Sequence, residues 1–304
     1  MQVSSRPPTS QRRSRQSLAG LAPLGASCLW GGMYVVSRAS FGAIPPVTLG
    51  LLRLLLGGAA LWLVLRLSGP REPLPREEGW RLPLLGLCIT ATITTQFIGT
   101  DLASAHDGAL LTTITPLFIV PLAWLLLGER PRWRVVAGTL LALAGVVIIV
   151  GSEQGSSLSA QAGSLLIGDG LLIISAFFWA LFTVLGTPLV RKHSALAVTT
   201  YGTLWSLVFF APLALWELAQ RPALSLSPTS LASVLYLGLG ATALAWFLWY
   251  RGVERLPAGV AAIFFFAQPL VGGLLSALLL QEALGPGFWL GGLVLALGII
   301  LASL

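Results

Sequence analysis

Residues 107–150, DGALLTTITPLFIVPLAWLLLGERPRWRVVAGTLLALAGVVIIV, and residues 260–303, VAAIFFFAQPLVGGLLSALLLQEALGPGFWLGGLVLALGIILAS, are one pattern written twice. An offset of 153 residues carries Ala109 onto Ala262, Pro116-Leu117 onto Pro269-Leu270, Glu129 onto Glu282, Gly138 onto Gly291 and Gly145 onto Gly298, without a gap. Each copy is an apolar segment with a proline inside it, a terminal glutamate, and a second apolar segment spaced by glycines.

The rest of the chain has the same character. It is 56% hydrophobic and 10% charged, with a mean hydropathy of +0.86. A soluble domain carries about 25% charged residues, so this composition cannot cover a water-facing surface. A membrane span needs ~20 mostly apolar residues. That ruler gives ten candidate helices, roughly 18–38, 47–67, 80–101, 106–127, 132–151, 165–187, 194–217, 229–250, 257–280 and 286–303. The fold class expected is therefore all-α integral membrane, with ten transmembrane helices in two inverted five-helix repeats. Residues 1–16 read as a disordered basic cytoplasmic arm, 17–151 as the first repeat, 152–164 as a polar external linker and 165–304 as the second repeat. The first apolar stretch runs on as a full span without a small-residue cleavage site, which separates it from a signal peptide.

The net charge of +7 does not point to nucleic acid, because of where the basic residues fall. Fifteen of the 18 lie in alternate connections: the N-terminal arm, Arg66 to Arg81, Arg130 to Arg134, Arg191-Lys192, and Arg251 with Arg255. This alternation is the positive-inside pattern. It places both termini in the cytoplasm and implies an even number of spans. Five spans per half then turn the second half upside down relative to the first, the arrangement that underlies alternating access in carriers. Cys28 and Cys88 both fall within spans, and His106 and His193 are too few for a metal cluster. No cofactor or metal is expected, and neither is an enzyme, since no span combines a histidine with a deep acid.

Several short motifs resemble the EamA-type domain of the drug/metabolite transporter superfamily. They are Leu29-Trp30-Gly31-Gly32, Leu51-Leu52-Arg53, Leu127-Gly128-Glu129-Arg130-Pro131, Gly138 to Gly145, Trp179-Ala180, Gln268-Pro269, and Glu282 with Gly291 and Gly298. The resemblance covers residues 18–303 in two tandem copies. It implies a carrier of the inner (plasma) membrane, often an exporter of amino acids or other small metabolites. The alternatives are a multidrug or other metabolite permease, a channel or a receptor. The partners expected are a small-molecule substrate and the lipid bilayer, with no nucleic acid and a monomer as the simplest assembly. One departure stands out: the ninth span ends in Gln281-Glu282 where the family has Gly-Glu.

Candidate substrate-binding residues follow from depth and polarity. Trp30 and Trp179 sit near the middle of the first and sixth spans, although belt tryptophans belong at the interfaces. Their indole N–H groups need partners there, from a cavity or from helix packing. Arg53 lies about 9 Å inside the second span at 1.5 Å per residue. It can hold a substrate carboxylate, pair with Asp101, Asp107 or Asp169, or snorkel to the interface. Tyr201 is its counterpart in the seventh span, which gives a cavity with a cation toward one side and a phenol toward the other. Gln96, Thr112, Thr113, Thr115, Thr183 and Gln268 are polar groups within spans, and such groups face the bundle. Tyr34, Trp205, Trp246 and Phe264 to Phe266, with Phe265 at the centre of that run, supply an apolar wall. Trp249 and Tyr250 read as interface residues.

Pro116 and Pro269 remove a backbone bond within symmetry-related spans and read as hinges or as static bends. Glu129 and Glu282, at the ends of those spans, read as gate residues that cap the next helix or pair with arginines, and Asp169 as a cap opening the sixth span or a protonation site at that gate. Gly138, Ala142 and Gly145, with Gly292 and Ala296, read as a small-residue seam between the fifth and tenth spans.

Overall fold

A computed structural model of the chain describes residues 9–68, 79–103, 108–109, 111–153, 162–221, 224–225, 227–280 and 285–303. Every regular element among them is helical. In chain order these are α1 (Thr9–Gly31), α2 (Met33–Ser40), α3 (Pro46–Leu67), α4 (Arg81–Leu102), α5 (Thr115–Leu127), α6 (Trp133–Glu153), α7 (Ala162–Lys192), α8 (Ala195–Gln220), α9 (Pro228–Leu235), α10 (Ala245–Val253), α11 (Ala258–Ala262), α12 (Ala267–Leu280) and α13 (Pro286–Ser303). A π-helical stretch, Tyr236–Leu244, joins α9 to α10. Six helices among the described residues are long and apolar enough to cross a membrane: Pro46–Leu67, Arg81–Leu102, Leu166–Lys192, Ala195–Gln220, Pro228–Val253 and Pro286–Ser303. Three shorter apolar helices accompany them: Thr112–Leu127, Trp133–Ile149 and Ala258–Gly272. The helix α1 starts at Thr9, inside the stretch expected to lack structure.

The outer surface is what a bilayer requires. Leu125, Trp216, Leu293 and Ile300 are all exposed. Trp62, Trp80 and Trp133 are exposed as well, and each lies beneath an arginine guanidinium, Arg66, Arg81 and Arg134 respectively. Indole with a neighbouring cation is the chemistry of the membrane–water interface.

The two halves interleave. From the first half, α4 lies against α7 and α8 of the second, and α3 against α8 and the π stretch. In turn α1 packs on α10 and α12. The main core cluster therefore draws on both halves, joining Trp30, Ile89 and Phe97 to Phe182, Trp249 and Phe265.

The seam between α6 and α13 carries the repeat in its geometry. A Cβ added at Gly138 would lie 2.6 Å from the carbonyl oxygen of Gly298, and one at Gly145 2.6 Å from that of Gly291. Gly138 is the repeat mate of Gly291, and Gly145 of Gly298. Each glycine thus faces the mate of the other, which happens only when the two equivalent helices run antiparallel about a local two-fold axis. On α13 the seam is Gly291, Leu295, Gly298 and Ala302, not the Gly292 and Ala296 face expected from sequence. Gly292 points instead to Leu270.

Four spans are broken, and each break has a local cause. Between α1 and α2 the chain turns at Gly32, and the Tyr236 hydroxyl donates to the carbonyl of Leu29 (2.6 Å). A side chain at Gly32 would lie 2.9 Å from that hydroxyl. A 3₁₀ turn, Thr112–Ile114, precedes Pro116 in α5, and another, Ile263–Phe266, precedes Pro269 in α12. Proline lacks the N–H that would continue the ladder, so tighter bonding ahead of it is the expected response. The fourth break is the π stretch, which has no proline.

Candidate functional site

Three of these breaks line one cavity of about 30 Å³, room for roughly one water, and the fourth, the π stretch, bonds the Arg53 that reaches into it. Trp30, Met33 and Tyr34 reach it from the α1–α2 junction, Arg53 from α3, and Thr92, Ile93 and Gln96 from α4. Thr112 and Thr115 come from the first proline break, and Phe265 and Gln268 from the second. Ser175, Ala176 and Trp179 of α7 and Trp246 of α10 close the wall. Of the candidate substrate-binding residues, Trp30, Tyr34, Arg53, Gln96, Trp179, Trp246, Phe265 and Gln268 are thus brought together.

Arg53 is the charged group of this lining. Its side chain is 1% exposed, so it does not snorkel. Nε donates to Thr242 Oγ1 (2.8 Å), Nη1 to Met33 Sδ (3.3 Å) and Nη2 to the carbonyl oxygen of Ala241 (3.4 Å). Its guanidinium lies over the rings of Phe97 and Trp246. Among the described residues no carboxylate bonds it. Asp101 is taken by Arg38, at 2.8 Å, and Asp107 lies outside the described residues.

The π stretch makes this arrangement possible. Thr242 donates its own hydroxyl to the carbonyl of Leu237, five residues back (2.7 Å), while accepting from Arg53. The Ala241 carbonyl also accepts from Trp30 Nε1 (2.9 Å). A π segment widens the helix, and such segments recur at functional sites. Here it offers backbone and hydroxyl oxygens to two side chains from the other half of the chain. The stretch YLGLGATAL carries no sequence signal for this, because its hydropathy matches that of an ordinary span.

A second network holds the opposite wall. Gln96 Nε2 donates to the Tyr34 hydroxyl (2.7 Å), which donates to Thr112 Oγ1 (2.6 Å), which donates to the carbonyl of Gly108 (2.7 Å). This chain ties α4, α2 and the first 3₁₀ turn together. The indoles of Trp30 and Trp179 meet edge to face with centroids 5.2 Å apart, and Trp179 lies 5.7 Å from Trp246.

Two candidate residues lie elsewhere. Thr183 is fully buried away from the cavity, and its hydroxyl accepts from Trp249 Nε1 (3.0 Å). Tyr201 is 39% exposed on the outward face of α8, so it does not pair with Arg53 across the cavity. Helix rotation decides this: Gly202 and Thr203 occupy the inward face. Trp205 is outward too, stacked on Phe209. Trp249 and Tyr250 are fully buried, not interfacial. Trp249 packs against Phe265 at 4.9 Å and Trp30 at 5.7 Å between centroids.

The acidic candidates sort differently. Gly128 takes the left-handed conformation (φ 68°) at the end of α5, and the Glu129 N–H donates to the carbonyl of Ala123 (3.2 Å). This Gly-terminated turn aims Glu129 across to the second half. There its carboxylate pairs with Arg191 (2.6 Å) and accepts from the backbone N–H of Ala258 (2.9 Å). It caps α11, not the adjacent α6. Glu282, its repeat mate, lies outside the described residues. Asp169 is inside α7, which begins seven residues earlier at Ala162, so it does not cap that helix. A cap the sequence did not suggest is Glu217 of α8. It accepts from the Val47 and Thr48 N–H groups (3.1 and 2.6 Å) and joins the start of α3 to the second half.

The Glu129–Arg191 pair lines a vestibule of about 470 Å³, together with Val120, Ala123, Pro257 and Val260. Two interleaved halves around a central cavity that mixes aromatic walls with buried polar groups, with an apolar outer face, define a membrane transport protein rather than a soluble binding domain. Comparison with known proteins places it more narrowly. The EamA-like transporter family matches residues 18–151 and 166–304, and the chain belongs to that family.

Among its relatives are the uncharacterized transporter YetK of Bacillus subtilis (34% identity, over 60% of this chain and 55% of that one) and an uncharacterized transporter of Archaeoglobus fulgidus (26%, over 90% and 93%). A protein of Streptantibioticus cattleyicolor named a probable terminal-alkyne amino-acid exporter is 25% identical, over 90% of this chain and 89% of that one. A solved crystal structure superposes with a TM-score of 0.79 at 24% identity, covering 94% of this chain and 98% of that one, and shares the fold.

Proposed function

We propose that the chain is a secondary carrier that exports small organic metabolites, amino acids or related compounds, across the inner membrane by alternating access. One observation carries the reading: the cavity is built by broken helices from both halves, so neither half holds the site alone. A site at the interface of two halves is exposed to one side or the other as they rock. Ten spans in two inverted repeats are supported by the antiparallel α6–α13 seam, where repeat mates face each other crosswise. Cytoplasmic termini are supported by the alternation of basic loops.

The Glu129–Arg191–Ala258 contact ties the halves together on the side of the basic loops. In this reading it is a latch that must open for the vestibule to reach the cavity. The amino-acid class rests on the family resemblance and on the name borne by the Streptantibioticus relative. A multidrug or broader metabolite permease is the alternative.

Counterflow in proteoliposomes holding the purified chain tests the carrier. Preloading with one member of a metabolite panel should drive uptake of a labelled counterpart, and Trp30→Ala should abolish it at equal reconstituted amount. Counterflow that Trp30→Ala leaves intact would place the route elsewhere.

A further inference from the structure

The cavity has an imbalance of hydrogen-bonding character. Besides Arg53, its lining residues carry buried polar atoms with no partner in the structure: Trp179 Nε1, Gln268 Nε2 and Thr92 Oγ1. Trp179 and Gln268 are 7% and 2% exposed, so water does not reach these groups from the surface. Two of the three are obligate donors, and a buried donor left unmade costs about 1–3 kcal/mol. A guanidinium has five N–H donors. Thr242, Met33 and Ala241 engage three of them, which leaves one on Nη1 and one on Nη2. Among the described residues the lining holds no acidic side chain.

We infer that the cavity recognises its substrate by a carboxylate, held by Arg53 with Trp179 Nε1 and Gln268 Nε2, and offers no ion-pair partner for an ammonium group. This rests on the carrier reading above and narrows it. A carboxylate accepts hydrogen bonds only, so it satisfies every orphaned donor at once. An α-ammonium brings further donors to a donor-rich wall and a second cation near Arg53. Its remaining attraction is to the ring faces of Trp30, Trp179 and Trp246, a weak term beside a buried ion pair. The amino group is therefore tolerated and not read. Amino acids, 2-oxo acids and 2-hydroxy acids with the same apolar side chain are ligands of one class. Because the cavity holds about one water, binding requires its walls to separate, which the four helix breaks permit.

The test is direct binding to the purified full-length chain in nanodiscs, read by tryptophan fluorescence and calorimetry. The panel is leucine, its 2-oxo acid, its 2-hydroxy acid, leucinamide and isopentylamine. The three carboxylates should bind within about threefold of one another, and the amide and amine at least about tenfold more weakly. Arg53→Gln should cost the carboxylates about tenfold or more and the uncharged amide much less, so that the gap between acid and amide closes. Trp179→Phe keeps an aromatic ring but removes the indole N–H along with part of the ring, and should weaken the carboxylates more than the amide. It keeps the question open to experiment if Arg53→Gln does not fold.

Equal binding of leucine and leucinamide overturns the inference. So does a preference for leucine over its oxo acid beyond about tenfold, which would reveal an ammonium site. Failure of the whole panel to bind overturns it as well. Counterflow of an unrelated solute would in that case leave the carrier reading standing.

Discussion

Trp249 shows how far the role of one aromatic depends on the direction it faces. It lies close to Arg251, at the end of a span, where an indole belongs to the membrane interface by sequence position alone. In the folded chain it is fully buried, its N–H is spent on Thr183, and its ring contacts Phe265 and Trp30. It supports the cavity wall from behind. Trp249→Ala should therefore lower stability by about 3–5 kcal/mol, the range for an aromatic truncated in a packed core. Trp216→Ala, at a tryptophan 69% exposed on the outer surface, should change it little. Thermal unfolding of the two purified variants checks this, and equal melting temperatures would return Trp249 to the interface. The same dependence explains Tyr201. Alignment of the repeats puts it opposite Arg53, but the rotation of α8 turns it outward. Depth along a helix was legible in the sequence. Azimuth around it was not, because spans that are apolar on all sides carry no amphipathic stripe to fix a face.

At the scale of elements, small residues set which helices touch. Gly145 allows α13 to approach so closely that an added Cβ would meet the Gly291 carbonyl oxygen and the Leu295 nitrogen at 2.6 Å each. Both obstacles are backbone and cannot swing aside. Gly170 of α7 is the contrast, with nothing within 4 Å of where a methyl group would sit. Gly145→Ala should destabilise by about 1–3 kcal/mol, the cost of overpacking. Gly170→Ala should be neutral or stabilising by up to about 1 kcal/mol, since alanine favours the helix. Unfolding of both variants in one detergent decides it, and an unaffected Gly145→Ala would dissolve the seam. The paired fifth and tenth spans were legible as glycine spacing, and the bends ahead of Pro116 and Pro269 as proline positions. The π stretch was not. It is stabilised by bonds that Arg53 and Trp30 make from the other half of the chain, so its cause is tertiary.

For the whole molecule the question is which way it sits in the bilayer. Trp62 with Arg66, Trp80 with Arg81 and Trp133 with Arg134 mark helix ends that the basic-loop alternation assigns to one side. The Glu129–Arg191 ion pair joins loops assigned to that same side. Cationic loops are retained where the surface potential and the insertion machinery hold them, in the cytoplasm. Trp216 and Trp289, exposed on helices whose neighbouring loops carry few basic residues, mark the other face. The orientation expected is both termini and residues 66–81 inside, with residues 152–164 outside. Cys28 and Cys88 lie within spans and can be replaced by alanine to give a silent background. A cysteine placed at Ser157 should then react with an impermeant maleimide in intact cells. One placed at Leu74 should react only after permeabilisation. The reverse pattern would invert the chain and put the Glu129–Arg191 pair on the outside. Labelling of both positions in intact cells would mean that the two loops share a face, which the three spans expected between them, 80–101, 106–127 and 132–151, do not allow.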